Sequence, residues 1–188
     1  MKKALILILL LAACRDEAAQ SITPVALTAD AVDHYCQMNV IEHAGPKAQV
    51  HLDGLPGAPL FFAQVRDAVA YARMPEQDRR ILAIWVNDMG AEGATWDNPG
   101  TATNWIDATA ASYVIGSDMK GGMEAPELVP FADAAKAADF AAAHGGRVLA
   151  FAEIPDDAVI APDAPLEAED DDLSDRLDAL TKHRHAGG

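Results

Sequence analysis

Hydrophobic and polar positions follow the same order in two stretches of this chain. Ala48 to Leu52 alternates as Ala-Gln-Val-His-Leu, the period-two mark of a half-buried strand. Phe62-Ala63 is followed nine positions later by Tyr71-Ala72 across an alanine-rich stretch that suits an amphipathic helix. Ile81 to Val86 is then a continuous apolar run, which predicts a strand. The second stretch repeats this order. Ala111 to Ile115 alternates, Phe131-Ala132 is followed nine positions later by Phe140-Ala141, and Val148 to Ala152 is strand-like. Pro75 ends the first helix, and Gly145-Gly146 stops the second. Asn87 to Thr103, rich in Gly, Pro and Asn, forms a joint between the two halves. The fold class is therefore α+β, with strands, a helix and a strand occurring twice. Alanine-rich helices resemble one another for trivial reasons, so the pattern alone leaves true repetition and chance similarity both open.

The ends of the chain differ from this body. Met1-Lys2-Lys3 is a short positive segment, and Ala4 to Leu11 is an apolar run too short to span a bilayer. With Leu11-Ala12-Ala13-Cys14 they read as a secretory signal. That tetrapeptide resembles the bacterial lipobox, in which the cysteine is lipidated and becomes the first mature residue. The alternative is an ordinary signal cut near Ala13. Arg15 stands where an aspartate would resemble an inner-membrane retention signal, so the anchor is expected in the outer membrane. The organisation expected is residues 1–13 as signal peptide, 14–30 as lipidated N-terminus and tether, 31–154 as the folded domain, and 155–188 as an acidic tail. Pro155, Pro162 and Pro165, the acidic run from Glu167 to Asp172 and the final Gly187-Gly188 predict a disordered or loosely held tail. Within it, Asp175 to Lys182 suits a short helix, and His183 and His185 read as solvated.

The formal net charge is −15. Loss of Lys2 and Lys3 with the signal makes the mature chain more acidic still, which argues against nucleic acid as a partner.

Lipidation of Cys14 leaves Cys36 as the one cysteine available for chemistry. It lies in His34-Tyr35-Cys36-Gln37-Met38, so a thiol and a thioether stand two residues apart. These are the softest ligands a protein has, and they select Cu(I). The second half offers Met119 and Met123, in Ser117-Asp118-Met119-Lys120-Gly121-Gly122-Met123. Both flank Lys and Gly in what reads as a flexible polar loop with little core to fill, which favours a ligand role over packing. Met89 ranks below them. On an alternating strand His34, Cys36 and Met38 would share a face. His34 is then either a fourth ligand or a surface or hydrogen-bonded histidine, whereas His43 and His51 read as surface or hydrogen-bonded residues. Zinc would need more Cys or His at close spacing. There is no Gly-x-Ser-x-Gly, phosphate-binding Gly-Lys-Ser/Thr or His-Glu-x-x-His motif.

The lipobox ending at Cys14, the Cys-x-Met of Cys36-Met38, Trp105-Ile106-Asp107-Ala108 leading into Ser112 to Ser117, and Gly121-Gly122-Met123 running into Val129-Pro130-Phe131 together resemble the NosL family. Members often show Gly-Pro-Met where this chain has Gly-Gly-Met. The resemblance implies paired ββαβ units similar to the organomercurial lyase core. It implies a non-enzymatic periplasmic lipoprotein that binds Cu(I) and helps deliver it to nitrous oxide reductase and its maturation machinery, anchored to the membrane through Cys14. By residue it carries over Cys36, Met38 and Met123 as ligands; Met119 rests on spacing alone. Two other classes stay open on the residues themselves: a cysteine-dependent organometal-processing enzyme, and a lipoprotein docking module in which Cys36 is merely buried.

Overall fold

The computed structural model describes residues 19–122 and 124–160. Cys14, Met123 and the expected tail helix and histidines of residues 161–188 lie outside the described residues. Along the chain the elements are β1 (Ala48–Leu52), β2 (Leu60–Phe62), α1 (Val65–Arg73), β3 (Ile81–Val86), β4 (Ile106–Asp107), β5 (Ser112–Ile115), β6 (Val129–Phe131), α2 (Ala134–His144) and β7 (Arg147–Ala150). The first half is β1-β2-α1-β3 and the second β5-β6-α2-β7, so each is a ββαβ unit. All strand pairs within the sheets are antiparallel, and the first strand of each unit lies in the middle: β2-β1-β3-β4 in one sheet and β6-β5-β7 in the other. The register agrees as well. Ala48 opposes Phe62 and Val86, and Ser112 opposes Phe131 and Ala150.

One core joins the halves. Ala48, Val50 and Leu52 point from β1 toward Val65 and Val69 of α1, and Tyr113, Ile115 and Leu128 of the second half complete the same cluster. Val114, Val129, Phe131 and Ala137 form a smaller core under α2, against Trp96 and Phe140. Burying a side chain of Val or Leu size contributes roughly 1.5–3 kcal/mol, so the shared cluster ties each half's stability to the other. α1 shows the same dependence at its N-terminus. Its N-cap Gln64 makes no side-chain cap. Instead, Glu127 of the second half accepts hydrogen bonds from the Arg66 N–H in the first turn (3.0 Å) and from its neighbour Leu128 (2.8 Å). A carboxyl group there satisfies an N–H that the helix leaves unpaired. α2 is capped locally, by the Asp133 side chain on Ala135.

The folded body is longer than the expected 31–154. Residues 20–28, expected to be a tether, are bound to the outer face of the first sheet. Gln20 donates to the Leu52 carbonyl, and Trp85 Nε1 donates to Ile22. The Gln49 amide accepts from Val25 N–H and donates to Val25 C=O (2.8 and 3.0 Å), as a paired strand would. This cover explains why β1 is buried at all five positions instead of alternating. It also buries His51, which takes the hydrogen-bonded of its two expected settings, its Nε2 meeting Gln49 Oε1 at 3.0 Å. At the other end Val159 is buried, and Arg73 bonds the Ile154 carbonyl and Asp156, so the body runs at least to Ile160 rather than stopping at Ile154.

Two buried ionisable groups set the pH response of this body. Burial pushes the Glu127 carboxyl up to about 8 from 4.5, with Asp67 adding to the rise, while the two N–H groups and Lys47 oppose it. Burial pushes Lys47 down to about 8 from 10.5. Between about pH 4.5 and 8 the folded chain keeps a proton on Glu127 that the unfolded chain has lost, so stability falls as pH rises. Between about 8 and 10.5 the unfolded chain holds a proton on Lys47 that the folded chain lacks, so stability climbs again. Urea unfolding at several pH values should show a minimum near pH 8. Glu127→Gln should flatten the acid limb and leave the alkaline one; equal slopes in both proteins below pH 8 would refute this.

Candidate metal centre

Asp33 builds the segment that carries Cys36. Its carboxylate is buried and accepts three backbone N–H groups: Tyr35 (2.7 Å) and Cys36 (2.9 Å) on Oδ1, and Ala63 (2.6 Å) on Oδ2. The Asp33 N–H donates to the Met38 carbonyl at 2.8 Å and closes the loop. Gln37, in the left-handed region at φ 58°, turns the chain, and its side chain donates to the Asp33 and His34 carbonyls. His34 to Cys36 is therefore a turn and not the expected alternating strand. Alternation no longer places His34 beside Cys36. Its ring packs with Tyr35, Phe62 and Tyr71 at centroid distances of 5.2, 5.5 and 5.2 Å.

The loop presents Cys36 half-exposed and Met38 at 48% exposure. Val32, Tyr35 and Ile41 are also more than two-fifths exposed, so large apolar side chains surround the thiol on the surface. A groove of about 360 Å³ runs beside the turn, between Asp33-His34 and Leu60-Phe61.

The second half contains a copy of this device. The Asp88 carboxylate accepts from Gly90 N–H (2.8 Å) and from Ala132 N–H (3.0 Å). Met89 N–H donates to the Pro130 carbonyl as His34 N–H donates to Phe61, at 2.9 and 2.8 Å. Ala63 and Ala132 each follow the phenylalanine that ends the second strand of their half. The repetition left open by the sequence thus reaches into the site itself, where Gly90-Ala91 stands in place of Tyr35-Cys36.

The loop leading to Met123 is anchored and not free. Asp118 N–H donates to the His144 carbonyl, and Trp96 Nε1 donates to the Lys120 carbonyl (3.1 Å). Gly121 is buried, and a Cβ there would run into the Gln64 amide and come within 2.7 Å of Glu127 Oε2. A Cβ on Gly122 would strike His43, whose Nδ1 donates to the Gly122 carbonyl at 3.2 Å. The two glycines let the second-half loop close onto the first half, at His43 and Gln64. Met119 is half-buried at the loop's second-half end, near α2, whereas Gly122 is at its first-half end.

Gln64 and above all Asp33 carried no role in the sequence reading. Only an Asp three residues before the cysteine, at Asx-turn spacing, gave a local signal. Among the described residues no three His, Cys, Asp or Glu side chains gather as a metal site. The donors that the turn offers are a thiol and a thioether, which suit a soft monovalent ion.

Among the described residues the chain is thus a duplicated ββαβ domain that displays a thiol and a thioether on one surface turn. The chain belongs to the NosL family, whose sequence profile matches residues 24–159. It is 56% identical over 174 residues to the copper-binding lipoprotein NosL of Achromobacter cycloclastes, covering 91% of this chain and 89% of that protein. It is 36% identical over 141 residues to the copper-binding lipoprotein NosL of Stutzerimonas stutzeri, covering 74% and 70%. The crystal structure of the copper chaperone NosL from Shewanella denitrificans superposes with a TM-score of 0.61 at 27% identity, over 69% of this chain and 94% of that one.

Asp33→Ala should cost about 3 kcal/mol, because buried N–H groups lose a charged acceptor. It should also raise the rate at which Cys36 reacts with a thiol reagent under native conditions. Gly122→Ala should cost about 2 kcal/mol through overpacking against His43. Chemical denaturation checks both, and a wild-type midpoint in either variant would contradict the geometry.

Proposed function

We propose that the protein is a periplasmic, lipid-anchored Cu(I) carrier that supplies copper for assembly of the copper centres of nitrous oxide reductase. Cys36 and Met38 bind the ion, Met119 and Met123 are further thioether candidates, and Cys14 carries the anchor, placed in the outer membrane. The observation that carries the reading is the thiol and thioether held on one pinned, solvent-facing turn. The names of the relatives, copper-binding lipoprotein and copper chaperone, support the choice of metal.

The geometry fits a carrier. The Asp33 turn fixes the donors before metal arrives, so binding costs little ordering. Their exposure lets an acceptor approach and replace them one at a time. The thiolate contributes a formal charge that neutralises Cu(I), and the thioethers bind without losing a proton. His34 remains a candidate fourth ligand only if its ring leaves the aromatic packing with Phe62 and Tyr71. The reading is non-catalytic: Cys36 transfers a metal ion and forms no covalent intermediate.

In an anaerobic competition titration with a chromophoric Cu(I) chelator, Cys36→Ala should abolish tight binding. Met38→Ala should weaken it by about tenfold, or ~1.4 kcal/mol. Unchanged affinity in Cys36→Ala would overturn the proposal.

A further inference from the structure

A cleft of about 570 Å³ opens on the seam between the halves, and none of its lining residues carries sulfur. Arg66 from the first turn of α1, Arg147 from the start of β7 and Asp157 supply its charged groups, and Ile115 and Leu128 its apolar floor. Its size is that of a small-molecule site. The chain has 29 acidic residues against 14 Lys and Arg. Yet among the described residues neither Arg66 nor Arg147 is in an ion pair, while Arg73 and Arg80 are. Arg66 Nε is buried without a hydrogen-bond partner among the described residues. Glu127 also lines the cleft at 2% exposure, with its Oε2 turned toward Gly121 and the Gln64 amide. Buried polar atoms are rarely left unpaired, and Arg66 Nε on a cleft with a second free guanidinium points to an anionic ligand that completes it.

We propose that this cleft binds a carboxylate group on a short apolar body, with Arg66 and Arg147 as its cationic contacts. Glu127 does not repel such a ligand at neutral pH, because burial pushes its carboxyl up to about 8. Asp157 is the one opposing charge on the lining. Two sources carry this chemistry. One is a free small organic acid. The other is the chain's own acidic run from Glu167 to Asp172, which starts seven residues beyond Ile160 and so has a reach of roughly 20 Å at ~3.3 Å per residue. The inference stands apart from copper binding, and Cys36→Ala should leave it unchanged.

The test is a ¹H–¹⁵N titration of the full chain with sodium butanoate, against sodium chloride at equal ionic strength. A second arm uses the full chain with Glu167, Glu169, Asp170, Asp171 and Asp172 replaced by their amides. If the free acid is the ligand, butanoate should shift the amides of Ile115, Gly116, Leu128 and Arg147 saturably. Arg147→Gln, at an exposed position, should weaken that response about tenfold, and Arg66→Gln likewise. If the chain's own carboxylates occupy the cleft, the amidated variant should shift the same amides with no acid added. The proposal fails if neither arm moves those amides, if chloride reproduces the butanoate response, or if both arginine variants respond like the parent.

Discussion

The candidate site rests on one buried carboxylate. Asp33 accepts N–H groups from Tyr35 and Cys36, which shapes the turn, and from Ala63, which fastens that turn to the junction of β2 and α1. A charged acceptor with three N–H partners offsets its own desolvation. Without it, the turn would keep the Gln37 and backbone bonds but lose the side-chain acceptor that fixes the Tyr35 and Cys36 N–H groups. Asp88 performs the same task on the second sheet, with Gly90 and Ala132 as donors. The two ββαβ units are thus alike in strand order, register and this carboxylate clasp. They differ in what the clasp displays: a thiol and a thioether in one, a packed methionine and a glycine in the other.

The seam between the units completes the arrangement. Glu127 caps a helix of the other half, Trp96 bonds the Lys120 carbonyl, and Gly45 N–H donates to the Trp96 carbonyl. Buried Lys47 donates to the carbonyls of Ala44, Gly45 and Ala63 (3.2, 2.6 and 3.3 Å). Lys47 and Asp33 therefore grip the two ends of the same residue, Ala63, from opposite sides of the peptide chemistry. The Gly121-Gly122 step fits against this framework because it has no side chains, which lets Gly122 close onto His43 of the first half.

Much of the fold was legible. The two helices, their stops at Pro75 and Gly145, and the strands β1, β3, β5 and β7 follow from periodicity and from Gly and Pro, which act locally. The expected family is the one found. The short strands β2 and β6 carry too few residues to show a period. The bound segment 20–28 was unreadable because its pairing runs through a glutamine side chain on a strand some 24 residues later. Cys36 and Met38 stood out by chemistry alone. Their setting did not, because an Asx turn and a strand present the same alternation over five residues, and the acceptor's third donor, Ala63, is 30 residues away. The Gly-Gly loop read as flexible because its anchors, His43, Trp96 and His144, are remote in sequence.

The account centres on a thiolate and at least one thioether binding one Cu(I). X-ray absorption at the copper edge of the anaerobically loaded full chain tests this most directly. It should show a reduced, low-coordinate copper with at least two sulfur neighbours, one of them lost in Met38→Ala. A first shell of nitrogen and oxygen alone, or a sulfur count unchanged by loss of Cys36, would contradict it.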